Sequence, residues 1–145
     1  MKHFTLVYRS RPVFSGSVAD YLAEIEKMVE TSRRRNERTS VSGALLFNED
    51  WFVHLLEGTE ADVRATFARI SADPRHEEVE ILFERYTRER RLQNWSLAFV
   101  GQAPAIRKHF SSTMTADPGI TLRGYEVVEF VVAMVTGDGA RQGTP

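Results

Sequence analysis

Three polar side chains stand where the pattern calls for apolar ones. Tyr8 follows Phe4 and Leu6 at strand spacing, and His54 lies between Phe52 and Leu56 at the same spacing. Asn36 and Ser32 continue a helical stripe that runs through Val18, Tyr21, Leu22, Ile25, Met28 and Val29. A phenol, an imidazole and an amide in the inner layer of a small core are costly unless they are partnered. A ligand rich in hydrogen-bonding edges would partner all three. Each also has an ordinary alternative: a tyrosine bonded to backbone, a satisfied core histidine, an asparagine capping a helix.

The elements that must position them follow from periodicity. His3 to Arg9 alternates, with Phe4, Leu6 and Tyr8 on one face and Thr5 and Val7 on the other, as a strand buried on both sides does. Arg11 to Ser17 reads as a loop, and Ser17 can cap the helix that follows. Val41 to Phe47 and Trp51 to Glu57 form a hairpin around Asn48-Glu49-Asp50. Thr59 is the expected N-cap of a second helix with Val63, Phe67 and Ile70 inside, stopped by Pro74. Val79 to Tyr86 and Trp95 to Val100 are further strands, joined by a highly charged link. The order β-α-β-β-α-β plus one strand predicts an α+β fold, a ferredoxin-like βαββαββ sandwich with both helices over one sheet face. In this reading the first and third strands run side by side and parallel. Tyr8 then lies near the C-terminal end of the first and His54 in the C-terminal half of the third. Residues 1–101 form the expected main domain, 102–136 a helical extension and 137–145 a flexible tail. Within the extension, Pro104 to Ser111 suits a short helix and Thr113 to Gly119 a loop. Tyr125 to Val135 reads as a helix, with a strand as rival because of its β-branched residues.

Composition narrows the classes. The chain of 145 residues suits one domain, and its 42% hydrophobic and 27% charged residues are globular. A net charge of −1 argues against a nucleic-acid partner. With no cysteine, disulfides, thiolate metal sites and cysteine nucleophiles are excluded. Four histidines, at positions 3, 54, 76 and 109, lack metal-ligand spacing, so no metal is expected. No apolar run of spanning length and no signal peptide are apparent, so a cytoplasmic protein without membrane contact is expected. The basic runs Arg33 to Arg35 and Arg88 to Arg91 read as solvated faces.

Five segments together resemble the BLUF domain, a bacterial blue-light sensor that uses flavin: FTLVYRS at 4–10, ETSRRRNERTSVSGALLF at 30–47, WFVHLLEG at 51–58, RISADPRHEEVEIL at 69–82 and LQNWSLAFVG at 92–101. The resemblance covers about the first 100 residues in order. It implies a ferredoxin-like fold, no enzymatic activity, a non-covalent flavin (FAD, with FMN or riboflavin possible), and C-terminal helices that pack on the far side of the sheet and signal to a downstream protein or a second copy. By position, Tyr8 matches the tyrosine that gives an electron and a proton to the excited flavin. Asn36 matches the asparagine on the polar edge of the ring, and Arg35 and Arg69 match further polar contacts. Ser32 and Ile25 match pocket positions, Asp73, Arg75 and His76 lie where the ligand tail runs, and Trp95 matches the tryptophan near the site. Leu97 stands where methionine is frequent.

One position departs in kind. The glutamine that bridges tyrosine and flavin in the family falls on His54. Neutral imidazole offers one donor and one acceptor on opposite ring edges, so His54 can accept from Tyr8 and donate to flavin. It cannot tautomerise as an amide does, and it can become charged near pH 6.5, which glutamine cannot. The resemblance therefore implies a flavin photoreceptor. The alternative is a BLUF-like flavin-binding or interaction module whose photocycle is altered or absent. A small hydrolase of the acylphosphatase kind would need an arginine in a glycine-rich loop after the first strand, and here Arg11 precedes Pro12.

Overall fold

Alternation along the strands and the 3.6-residue stripes of the helices give both sheet faces apolar surface to hide, and among the described residues two helices cover one face and a third the other. The computed structural model describes residues 2–13, 16–47, 51–100 and 125–136. Within them run β1 (His3–Pro12), α1 (Val18–Thr39), β2 (Ser42–Phe47), β3 (Phe52–Gly58), α2 (Glu60–Ser71), β4 (His76–Thr87), β5 (Ala98–Val100) and α3 (Tyr125–Thr136). The expected turn at residues 48–50, the short helix at 104–111, the loop at 113–119 and the tail at 137–145 lie outside the described residues. No helix among the described residues is long and apolar enough to cross a membrane.

The five strands form one sheet in the order β4-β1-β3-β2-β5. β1 and β3 are neighbours as expected, but they pair antiparallel, with Tyr8 opposite His54 and Leu6 opposite Leu56. The reason is connectivity. The crossover through α1 makes β2 run the same way as β1, and the hairpin then turns β3 against both. His54 therefore sits toward the start of β3, directly across from Tyr8 in the middle of β1. The one parallel pair among the described residues is β2 with β5.

The predicted faces hold. Phe4, Leu6 and Tyr8 pack with Leu56 against Val63 of α2, while Tyr21, Ile25 and Val29 of α1 pack on Leu45, Phe47 and Phe52. On the far side Val7, Ala44, Leu46, Val53 and Leu55 meet Val127, Val128, Val131 and Val135 of α3. Those valines are helical despite their β-branched side chains, because burial against the sheet outweighs the small propensity cost. Ser17 and Thr59 cap α1 and α2 through their hydroxyls, accepting from the Asp20 and Asp62 N–H groups.

Three boundaries differ from the pattern. β1 continues to Pro12, because Arg11 and Pro12 pair with Glu77 and His76 of a longer β4. β5 begins only at Ala98, because the carbonyls before it are taken: that of Trp95 by Gly43 N–H, that of Ser96 by Asn36 and that of Leu97 by Arg33. The run Arg88 to Arg91 is largely exposed, as expected, but two of its arginines are engaged. Arg90 donates to the Ser40 carbonyl and the Ser42 hydroxyl, and Arg91 forms a two-pronged ion pair with Glu129 of α3.

Gly43 is the tightest point of the sheet. A Cβ built there would lie 1.9 Å from the Leu55 carbonyl oxygen, a backbone atom that cannot swing aside. Gly43→Ala should lower unfolding stability by about 1–3 kcal/mol, the usual cost of forcing extra atoms into a packed interior. Urea unfolding of the variant checks this, and an unchanged midpoint would mean that β2 and β3 are not so closely apposed.

Candidate functional site

α1 and α2 cover separate patches of the same sheet face, and a cavity of about 250 Å³ remains between them. That is slightly below the common range for ligand pockets. Its floor is the sheet, with Tyr8, Leu45, Phe52 and His54. One wall is the α1 ladder of Met28, Thr31, Ser32, Arg35 and Asn36, and the other is Thr66, Arg69 and Ile70 of α2. Leu97 closes one side, and Asp73, Arg75 and His76 another.

At the floor, the Tyr8 hydroxyl oxygen lies 2.9 Å from His54 Nδ1, with both side chains almost wholly buried. His54 Nε2, at the opposite edge of the ring, is buried with no hydrogen-bond partner among the described residues. Burial, and secondarily the charge of Asp73, pushes the Tyr8 phenol well above its ordinary range. Burial, reinforced by His76, lowers the His54 pKa to about 3. The expectation that His54 charges near pH 6.5 is therefore corrected: desolvation keeps the ring neutral through the physiological range.

Asn36 is also buried, and its amide N–H donates to the Ser96 carbonyl at 2.7 Å. Its backbone carbonyl accepts from the Ser40 and Val41 N–H groups at the end of α1. The expected capping role thus belongs to the main chain, which leaves the side chain to pin the segment before β5. His76 is fully engaged: its Nε2 donates to the Ile70 carbonyl, so Nδ1 accepts from the Ser10 hydroxyl, each at 2.7 Å. The rim is cationic. Lys27, Arg35, Arg69 and Arg75 surround it, with Arg75 paired to Asp73 at 2.6 Å. That pairing holds the Asp73 carboxyl below its usual range. Partial burial and the like charge of Arg35 lower the Arg69 pKa. A shallower groove continues outward from the rim over Glu24, Lys27, Arg69, Ala72, Asp73, Pro74 and Arg75.

Of the residues singled out in the sequence, the structure brings Tyr8, Ser32, Arg35, Asn36, His54, Arg69, Asp73, Arg75, His76 and Leu97 to one cavity. Two it does not. Ile25 is sealed in the α1 cluster beside Tyr21 and Val29 and does not line the cavity. Trp95 packs against the cluster under α3, on the far side of the sheet, while Leu97 fills the cavity side. Met28, Thr31, Leu45, Phe52, Thr66 and Ile70 line the cavity without having been singled out. Their signals were present: Met28, Ser32 and Asn36 are four residues apart, as are Thr66 and Ile70, and Leu45 is the hairpin partner of His54.

A sequence-family model described as "BLUF: Sensors of blue-light using FAD" matches residues 4–98. The chain belongs to the BLUF family. Among relatives of this BLUF chain, photoactivated adenylate cyclase subunit alpha of Euglena gracilis is 44% identical over 64 residues, which are 44% of this chain and 6% of that protein. The blue light- and temperature-regulated antirepressor BluF of Escherichia coli K12 is 40% identical over 87 residues, 60% of this chain and 21% of that protein. The chain thus spans only a small part of these two relatives. The dark-state structure of BlrB, a BLUF protein, superimposes with a TM-score of 0.72 at 30% identity, covering 92% of this chain and 95% of that one. The ground state of BlsA superimposes at 0.78 with 22% identity, covering 99% and 94%, which speaks for the fold alone.

The neutral, buried His54 has a measurable consequence. Between pH 6.5 and about pH 3 the unfolded chain holds a proton on this ring that the folded chain does not. Stability should therefore fall as pH drops through that window, by up to about 1.4 kcal/mol per pH unit from this group. His54→Gln should remove that component. Urea unfolding of both proteins at pH 7, 6, 5 and 4 tests it, and a difference that stays constant would mean that His54 is solvated or charged.

Proposed function

We propose that this chain is a blue-light photoreceptor that binds a flavin non-covalently in the cavity between α1, α2 and the sheet. One observation carries the reading: a partnerless imidazole nitrogen is buried at a cavity floor, and the other nitrogen of the same ring is bonded to a buried phenol. An unpaired buried polar atom is costly, and a ligand edge would pair it. The amide of Asn36 supplies a second polar contact, and Leu45, Phe52, Ile70 and Leu97 supply apolar surface for a planar ring. The rim cations and the groove beyond them suit a phosphorylated ligand tail, which favours FAD or FMN over riboflavin.

A bound flavin would absorb blue light and, once excited, accept an electron. Tyr8 would supply the electron and a proton, and His54, bonded to it through Nδ1, would stand between it and the ring. Asn36 and Arg35 hold the polar edge, with Arg69 opposite. Ser32 lines the pocket, and Asp73 and Arg75 border the tail. His76, engaged at both nitrogens, shapes the site more than it binds. Ile25 supports the α1 wall from behind, and Trp95 belongs to the output side.

The link between Tyr86 and Ala98 carries the change outward. It is held on the cavity side by Asn36 and Arg33, and on the far side by Glu57 and by the Arg91–Glu129 pair to α3. The receiver is a separate cytoplasmic protein or a second copy of this chain, reached through the region after residue 101. His54 favours a second reading, a flavin-binding or interaction module with an altered photocycle.

The visible spectrum of the purified chain tests both. A yellow protein whose flavin band shifts under blue light supports the first reading, and a yellow protein without a shift supports the second. A colourless protein that takes up no added flavin sinks both. Asn36→Ala should weaken flavin binding about tenfold, as loss of a buried hydrogen-bonding group does. Tyr8→Phe should keep the colour and abolish the light response. His54→Gln should restore a red shift; a yellow variant that behaves as the parent would show that position 54 does not touch the ring.

A further inference from the structure

We propose that β4 is the seam of a symmetric dimer, in which a second copy of this chain adds its own β4 antiparallel and sets Glu80 of the partner subunit against Arg85. The seam is separate from the cavity and from the region after residue 101, and it needs no ligand.

Among the described residues β4 is an outer strand of the sheet, with β1 on one side and no strand on the other. At twelve residues it is long for such a position, whereas β5 at the opposite edge has three. An edge of this kind offers a row of backbone donors and acceptors to an added strand. Two exposed tyrosines flank its far end, one on each face of the sheet: Tyr86 at 55% exposure and Tyr125 of α3 at 56%. Tyr86 packs edge-on against Phe4, and Tyr125 against Phe83. The Arg85 guanidinium lies over the rings of both Phe83 and Tyr125. Tyrosine and arginine are the side chains that most often anchor protein interfaces.

The order of the charges selects the occupant. Charged side chains usually keep edge strands apart. On β4, however, the acids Glu77, Glu78 and Glu80 fill the first half, and the bases Arg85 and Arg88 follow in and after the second. Glu84, the acid of the second half, is taken up by Arg64. An identical strand laid antiparallel therefore brings base opposite acid, and one laid parallel would bring like opposite like.

The faces then fix the register, because residues directly opposite in an antiparallel ladder share a face. Val79 and Ile81 pack in the cluster under α2, and Glu84 and Tyr86 meet Arg64 and Phe4 on that same side. Leu82 and Phe83 belong to the cluster under α3, and Glu80 reaches Arg9, which lies over Trp51 on that side. Setting Arg85 against Glu80 of the partner subunit keeps every face matched. Tyr86 then meets Val79 of the partner subunit, and Leu82 meets Phe83 of the partner subunit. Aromatic with β-branched and base with acid are favourable cross-strand pairs. Glu80 holds Arg9 at 3.0 Å and is still 39% exposed, so its carboxylate can take a second guanidinium. Each contact occurs twice about the two-fold axis, the assembly closes at two copies, and both cavities open on one face of the continuous sheet.

Sedimentation velocity of the full chain at about 1 to 100 µM and low salt tests this. The expected result is a reversible dimer that added salt weakens. Arg85→Glu and Glu80→Arg each set like charges opposite one another twice, and each should weaken self-association about a hundredfold. Mixing the two variants makes both pairs unlike again, so the mixture should dimerise although neither variant does alone. A chain that stays monomeric, a dimer that both reversals leave intact, or a mixture of folded variants that does not recover overturns the proposal. Amide exchange of the unaltered chain reads the same seam without any substitution. N–H groups of residues 79–86 should gain protection as the concentration rises, and protection that stays constant overturns the proposal as well.

Discussion

The site depends on two polar residues facing each other across the central strands. Antiparallel pairing of β1 with β3 sets Tyr8 opposite His54, in a sheet face they share with Phe4, Leu6, Phe52 and Leu56. Each ring satisfies one atom of the other, which makes their burial tolerable. The account does not close, because an imidazole has two nitrogens and a phenol one oxygen. α1 and α2 each cover their own apolar patch and leave open the strip between them where that residual nitrogen lies. Cavity and chemistry therefore come from the same arrangement.

Much of this was legible in the sequence, for reasons that differ by residue. The faces of β1 and β3 could be read because alternation is a local property, and the caps at Ser17 and Thr59 because a hydroxyl before an apolar stripe is local too. Strand direction was not in the pattern: Tyr8 and His54 alternate identically whether their strands run parallel or antiparallel, and the chain path between them decides. The late start of β5 depends on Asn36 and Arg33, some 60 residues away, claiming the carbonyls of Ser96 and Leu97. The side on which Trp95 packs depends on α3, further still along the chain. The charge state of His54 was misread because an isolated imidazole and one sealed under two helices are different acids.

The histidine at position 54 sets the chemistry of the cavity floor. An amide carries its donor and acceptor on adjacent atoms, and exchanging them requires rotation or tautomerisation of the group itself. An imidazole carries them on opposite edges of a rigid ring, so a proton can enter at one side as another leaves at the other. The pocket that surrounds it is a largely apolar slot with Asn36 at one wall and cations at the mouth.

The far side of the sheet holds a feature of another kind. Glu57 is fully buried, and its carboxylate accepts from the Ser42 hydroxyl and from the backbone N–H groups of Arg91 and Leu92. The backbone there cannot peel back by degrees, since each lost N–H would strand part of a charge among valines and leucines. The segment between β4 and β5 is thus anchored to β3 by one buried carboxyl group, next to the Arg91–Glu129 pair that ties the same stretch to α3.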